Sequence, residues 1–452
     1  MRSVRAAIAA VVAVSAFAVG LARRADASGV SLRATPLNVL WRVDRDGDRL
    51  TAPTAAERDA LGGTSDGQLF YVRSSGSSPL YRTFKAARGD HRDARSLVGS
   101  GGYVLDGALG APWPRCDAPG MAPIHDAVNA STGDHATVGP QELLVGYSVK
   151  TQLGCGYPRY GTAGEDLLTT SAGGVTVSSN RVAGGAVWRW THRGMQYVNT
   201  YDYGREIQAA IFIDHANPTE AGDGLGDSRY PADLQGSPLL MASSGPTNQS
   251  TRAAPLEFSV TRPDGPAVYQ SIRLGKDLTL DFRGMGPVVR YDTFLTTSRR
   301  LEGDWQTYIQ NVAFLRPLFR RFFTYDAADP GTSPREVFPG DYDVAGIVYE
   351  PPSGFGGVII ADDSLSFAMG MYGVLASVPG GTIDGFSVAK YFTDLGGGPA
   401  DDSESSSATS AMDAHSLEPV PAGTTIYRTW IITGTVDEVA SLMTDLYRAK
   451  VR

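Results

Sequence analysis

Cysteine and histidine are scarce in this chain: two Cys and six His in 452 residues. Two Cys without clustered His are poor material for a zinc site. Charge is also thin, at 19% of residues, while Gly (53) and Pro (27) are abundant. That mix argues against a coiled coil or helical bundle and points to many short strands joined by turns. The formal net charge is −8, which argues against non-specific binding to nucleic acid or anionic lipid. No His-Glu-x-x-His zinc helix and no phosphate-cradling Gly loop ending in Lys-Ser/Thr is present, so metalloprotease and nucleotide chemistry are not expected. Neither a metal nor a cofactor is implied.

After the N-terminus, no stretch approaches the 18 apolar residues of a membrane span. At the N-terminus, Arg2 and Arg5 precede an apolar run from Ala6 to Ala22, followed by the small-residue site Ala25-Asp26-Ala27. This is the layout of a secretory signal peptide cleaved after Ala27. Its removal takes away four Arg and one Asp, moving the formal charge from −8 to −11. An exported, soluble monomer with no membrane attachment is expected. In an oxidising compartment Cys116 and Cys155 are expected to pair.

The chain repeats itself. Gly89-Asp90-His91 recurs as Gly133-Asp134-His135, Gly102-Tyr103 as Gly146-Tyr147, and Leu109-Gly110 as Leu153-Gly154, all at one constant offset. A degraded earlier copy starts at Leu40, with Gly47-Asp48 in the Gly-Asp position and Arg49 where His stands later. Each unit reads as a strand, a Gly-Asp turn, a short helix or polar connector, and a Gly-Tyr strand. One unit cannot bury its own apolar face, so three are the natural minimum. Asp44-Arg45-Asp46-Gly47-Asp48 looks like the start of a calcium loop, but its twelfth position is Ala55 rather than Glu.

From Gly173 the sequence alternates with period two, as in GAVWRW, IQAAIFI, LTLDF and TIYRTWIIT. Residues 304–323 read as one helix, 436–450 as another, and 396–410 as a flexible loop. The expected fold is mainly β: a signal peptide (1–27), a three-unit repeat domain (28–158), and a large antiparallel β-sandwich (159–452) closed by a C-terminal helix.

The repeats resemble a secreted lectin-like tandem repeat, through Leu80-Tyr81-Arg82, Gly89-Asp90-His91 and Gly102-Tyr103 with Gly107, and through Thr51, Glu57-Arg58 and Leu61 in the first copy. The third unit departs from the pattern, with His125-Asp126 in place of Tyr-Arg. The hairpin from Gly184, GGAVWRWTHRGMQYVNTYDYGREIQ, resembles one in galactose-mutarotase-like supersandwich proteins. Together these resemblances imply a secreted carbohydrate-binding or carbohydrate-active protein directed at an extracellular polysaccharide or cell-wall glycan. Whether it is an enzyme stays open. The alternatives are a non-catalytic surface or adhesion protein and a polysaccharide lyase.

The strand that begins Tyr203-Gly204-Arg205-Glu206-Ile207-Gln208 runs into Asp214-His215-Ala216-Asn217-Pro218-Thr219-Glu220-Ala221-Gly222-Asp223. Planar polar side chains on such a loop suit paired hydrogen bonds to sugar hydroxyls. His215 and Glu220 are the candidate acid–base pair, with Tyr203, Arg205, Asn217 and Asp223 as binding residues. The loop is expected to be exposed, so that substitution costs little stability. His91 and His135 are weaker candidates for ligand contact on the repeats and read more simply as turn histidines. His192 reads as a solvated turn residue. Asp362, Asp363, Tyr372, Tyr349 and Glu350 are candidates to face the same cleft.

Overall fold

The structure, a computed structural model, describes residues 34–451 apart from 97–100, 140–143, 159–165, 200–205, 213–215, 223–235, 259–265, 302–306, 330, 338–346, 375–376, 379–380, 383–384, 392–405 and 416–419. The expected signal peptide lies outside the described residues. The chain is mainly β and divides into two compact units, one of residues 34–162 with 262–270, the other of 163–261 with 271–452.

In the first unit each repeat is a three-stranded antiparallel blade with its first strand in the middle. β1 (Thr35–Arg45) pairs with β2 (Asp48–Ala52) and β3 (Thr64–Arg73). β4 (Leu80–Lys85) does the same with β5 (Asp90–Ala94) and β6 (Val104–Gly110). β7 (Ala122–Asn129) completes the set with β8 (His135–Val138) and β9 (Tyr147–Pro158). The turn before each second strand needs a left-handed residue, and Gly47, Gly89 and Gly133 supply it at φ +86, +64 and +79. In the first repeat the connector is a short helix, Ala55–Leu61, N-capped by the Thr54 side chain. The blades share one core. Leu40, Leu80 and Ile124 from the middle strands meet Leu69, Leu109 and Leu153 from the third strands, all buried. Cys116 and Cys155 form the expected disulfide.

In the second unit two antiparallel sheets face each other. One carries the strands Val175–Asn180, Val187–His192, Ile207–Phe212 and Thr307–Leu315. The other has nine strands among the described residues, including Ile272–Thr279, Val288–Thr297, Phe355–Ala361, Ala368–Val374 and Gly423–Gly434. Val177, Trp190, Ile207 and Leu315 from the first pack against Leu278, Tyr291, Ile360, Met371 and Ile431 from the second. This is a β-sandwich. The helix Val436–Arg448 starts at a Thr435–Glu438 capping box and lays Val439, Ala440, Met443 and Leu446 on the other face of the nine-stranded sheet. Gly370 lets it approach, since a Cβ there would sit 2.4 Å from Val439.

Two expectations fail. Residues 304–323 hold no helix among the described residues: Thr307–Leu315 and Arg321–Asp326 are strands. Pro317 would have broken a helix there, and the first strand has partners on both sides, Ile207–Phe212 and Ser406–His415. The last of these is the second failure. The stretch 396–410 reads as a flexible loop, yet its last five residues open the strand Ser406–His415, paired on both edges, while 396–405 lie outside the described residues. Tertiary pairing overrides composition here.

Candidate functional site

The repeat unit is locked along its pseudo-threefold axis by a closed ring of hydrogen bonds. The His91 amide donates to Asp48 Oδ1 (3.1 Å), the His135 amide to Asp90 Oδ1 (3.3 Å), and the Arg49 amide to Asp134 Oδ1 (3.3 Å). Each blade therefore offers its turn carboxylate to the amide of the next. The second oxygens are also engaged: Asp48 Oδ2 by His91 Nδ1 (2.6 Å), Asp90 Oδ2 by the Tyr103 hydroxyl, and Asp134 Oδ2 by the Tyr147 hydroxyl. Oxygens of the three carboxylates lie within 4.8 Å of one another. Crowding and burial have a price in ionisation. Burial raises Asp134 above the usual carboxylate range, opposed by the Tyr147 hydroxyl and the Arg49 amide and reinforced by Asp48 and Asp90. Burial and the Asp134 bond push the Tyr147 phenol up to about 12.

His91 and His135 sit inside this lattice. His91 is 5% exposed and bonded to Asp48; His135 Nδ1 lies 2.8 Å from Asp126 Oδ1. The Asp44 turn of the suspected calcium loop is closed by its own Gly47 amide donating to Asp44 Oδ1 at 3.0 Å.

What the blades turn outward is the first half of each third strand. Thr64 and Ser65 of β3, Val104 to Asp106 of β6 and Ser148 to Gln152 of β9 are exposed, while the second halves run into the core. Two of these strand halves have a half-buried tyrosine under a cation at their start, Tyr103 just before β6 and Tyr147 opening β9. Lys85 Nζ lies 5.6 Å from the Tyr103 ring centre, and the Arg49 guanidinium 5.1 Å from that of Tyr147. Leu105 and Val149, at equivalent positions, are exposed apolar side chains beside them.

The loop of the second unit departs from expectation. Every residue from Ala216 to Gly222 is buried. Glu220 is 0% exposed, and its carboxylate accepts from Lys276 Nζ (2.6 Å), the Thr251 hydroxyl (2.9 Å) and the Ala209 amide (3.1 Å). Lys276 is equally sealed and spends its other donors on the Gly185 carbonyl (2.5 Å) and Thr251 (3.0 Å). Burial pulls the Lys276 ammonium down, against the holding charge of Glu220. The Asn217 amide donates to Glu257 at 3.1 Å, and its Oδ1 is buried without a partner. Tyr203, Arg205, His215 and Asp223 lie outside the described residues.

The remaining sequence candidates are dispersed. His192 is 5% exposed rather than solvated, because it ends a strand inside the sandwich, and burial lowers its basicity. Asp362 closes its own turn on the Phe367 amide (3.0 Å), Asp363 pairs with Arg320 (2.8 Å), and Tyr372 is buried against Trp430. Gly63-Thr64-Ser65-Asp66-Gly67 spells a nucleophile elbow, but Ser65 lies in strand β3 and its hydroxyl donates to the Arg42 carbonyl at 3.4 Å. The axial ring and the Glu220–Lys276 pair were missed from sequence. The constant Gly-Asp offset is the signal that could have found the first.

No protein-family model matches this chain, and no curated protein does. Solved structures similar to it include a galactose mutarotase-related enzyme from Lactobacillus acidophilus, 7% identical, covering 60% of this chain and 98% of that one at a TM-score of 0.35. An aldose epimerase homologue from C. elegans is 10% identical over 59% and 97% (TM-score 0.33). A galactose mutarotase-like protein from Lactobacillus casei is 8% identical over 61% and 99% (TM-score 0.32). At these scores the likeness carries no argument about reaction or substrate.

Proposed function

We propose that this is a secreted carbohydrate-binding protein directed at extracellular glycans, with the repeat unit as its binding part. The observation that carries the reading is the set of equivalent strand halves turned outward from one locked axis, two of them opening on a half-buried tyrosine beside a cation. Aromatic faces stack on the apolar side of a sugar ring while neighbouring donors take its hydroxyls. Repeated weak sites gain avidity on a polymer. The secretory layout of residues 1–27 and the Cys116–Cys155 disulfide suit an exported protein, and among the described residues no helix is long and apolar enough to cross a membrane.

A non-catalytic adhesion role is favoured over catalysis by Glu220, since a carboxylate committed to a buried ammonium is not free to exchange protons with a substrate. The loop candidates Tyr203, Arg205, His215 and Asp223 stay as proposed sugar contacts, whereas Asn217 is buried. The test is a polysaccharide panel read for binding, for new reducing ends and for unsaturated products. Binding without product release is expected, lost in Tyr103→Ala and Tyr147→Ala together and retained in Tyr103→Phe and Tyr147→Phe. Product release, or binding unmoved by the Ala pair, overturns it.

A further inference from the structure

The second turn of the axis carries a substitution within the repeat. Thr51, Asp93 and Thr137 hold equivalent positions, three residues after Asp48, Asp90 and Asp134. Two blades thus place a neutral hydroxyl at the centre and one places a carboxyl. Asp93 is 6% exposed, and its partners are the Thr137 and Thr51 hydroxyls. Among the described residues it forms no ion pair.

The charges around it do not neutralise it. Arg82 faces it across the β4–β5 pair, but the guanidinium is committed to Glu57 (2.8 Å), Asp106 (2.5 Å) and the Thr51 carbonyl (2.7 Å). Asp126 on β7 is 1% exposed and takes Arg92 (3.1 Å) and His135 (2.8 Å). Next along the axis stands the ring of Asp48, Asp90 and Asp134, served by His91, Tyr103, Tyr147 and the Arg49 backbone.

We propose that Asp93 makes the repeat unit a proton-operated clamp, tight when this carboxyl is protonated and slackened when it ionises among its axial neighbours. The protonated acid keeps both hydroxyl partners, Thr137 and Thr51, without a charge, whereas the anion adds a charge beside Asp126. Burial pushes Asp93 up to about 6, with Thr137, Thr51 and Arg82 opposing and Asp126 reinforcing. The sign follows: an acid raised in the fold stabilises fully below its unfolded value of about 4 and loses that contribution as pH rises to its folded value. Asp134, raised as well, acts in the same sense. The proposal is independent of the glycan reading.

The experiment is hydrogen exchange on the full chain, corrected for intrinsic rates and read on peptides covering β2, β5 and β8. Between pH 4 and 7 the opening constant of the wild-type unit is expected to rise about 50-fold relative to that of Asp93→Asn, about half of it by pH 6. Asp93→Thr restores the repeat's own residue and should match Asp93→Asn. Equal pH slopes in wild type and variants overturn the proposal, as does failure of both variants to fold. Calcium that tightens the wild type at pH 7 but not Asp93→Asn also overturns it, because a cation and not a proton would then neutralise the axis.

Discussion

Lys276 and Glu220 meet with Nζ 2.6 Å from Oε1, both side chains sealed from solvent. Removing one partner strands the other charge. Glu220→Leu or Lys276→Met alone is expected to destabilise by about 3–5 kcal/mol, while the two together cost far less than the sum. Urea unfolding of the four proteins gives the cycle. An additive result would show that the pair is not coupled.

Gly185 presents its carbonyl to that ammonium at φ +88, and a Cβ there would lie 2.6 Å from the Thr251 methyl. Gly185→Ala should therefore strain the backbone and push on the pair at once, lowering stability by about 2–4 kcal/mol. An unchanged thermal midpoint would contradict this.

The Cys116–Cys155 bridge spans 39 residues. In the chain-entropy model its loss costs about 3–4 kcal/mol. Cys116→Ser with Cys155→Ser should show this in denaturant, and wild type should reach the same midpoint under reductant.

Arg193 and Glu438 form a two-bond ion pair at 2.8 Å for each bond, which with the Thr435 amide lowers Glu438 to about 2. A depressed acid stabilises above its unfolded value of about 4.5 and loses that contribution as pH falls through about 2. Both side chains are about half exposed, so the pair is worth less than about 1 kcal/mol. Arg193→Ala should flatten the stability profile between pH 4 and 2 by that small amount; a steeper profile would exclude the assignment.

The sandwich and the repeats were legible in the residues, because period-two alternation and a constant Gly-Asp offset are local signals. What the Gly-Asp pairs do was not: Asp48 bonds an amide 43 positions away, and nothing in one copy marks the next as its partner. Glu220 read as an exposed acid because Asn-Pro and Ala-Gly signal a loop, and loops are usually at the surface. Its Lys276 lies 56 positions on. Arg316-Pro317 was hidden within a run of aromatics that suits a helix face as well as a strand.

The strand Ala267–Val268 pairs with Thr35 and Pro36 at the very start of β1. During synthesis all nine strands of the repeats leave the ribosome more than 100 residues before that partner does. The nascent unit must wait with one edge unpaired, open to other chains, while much of the second unit is still being made. A cut at residue 159 alone would likewise orphan 262–270, so genetic separation of the two units needs two cuts.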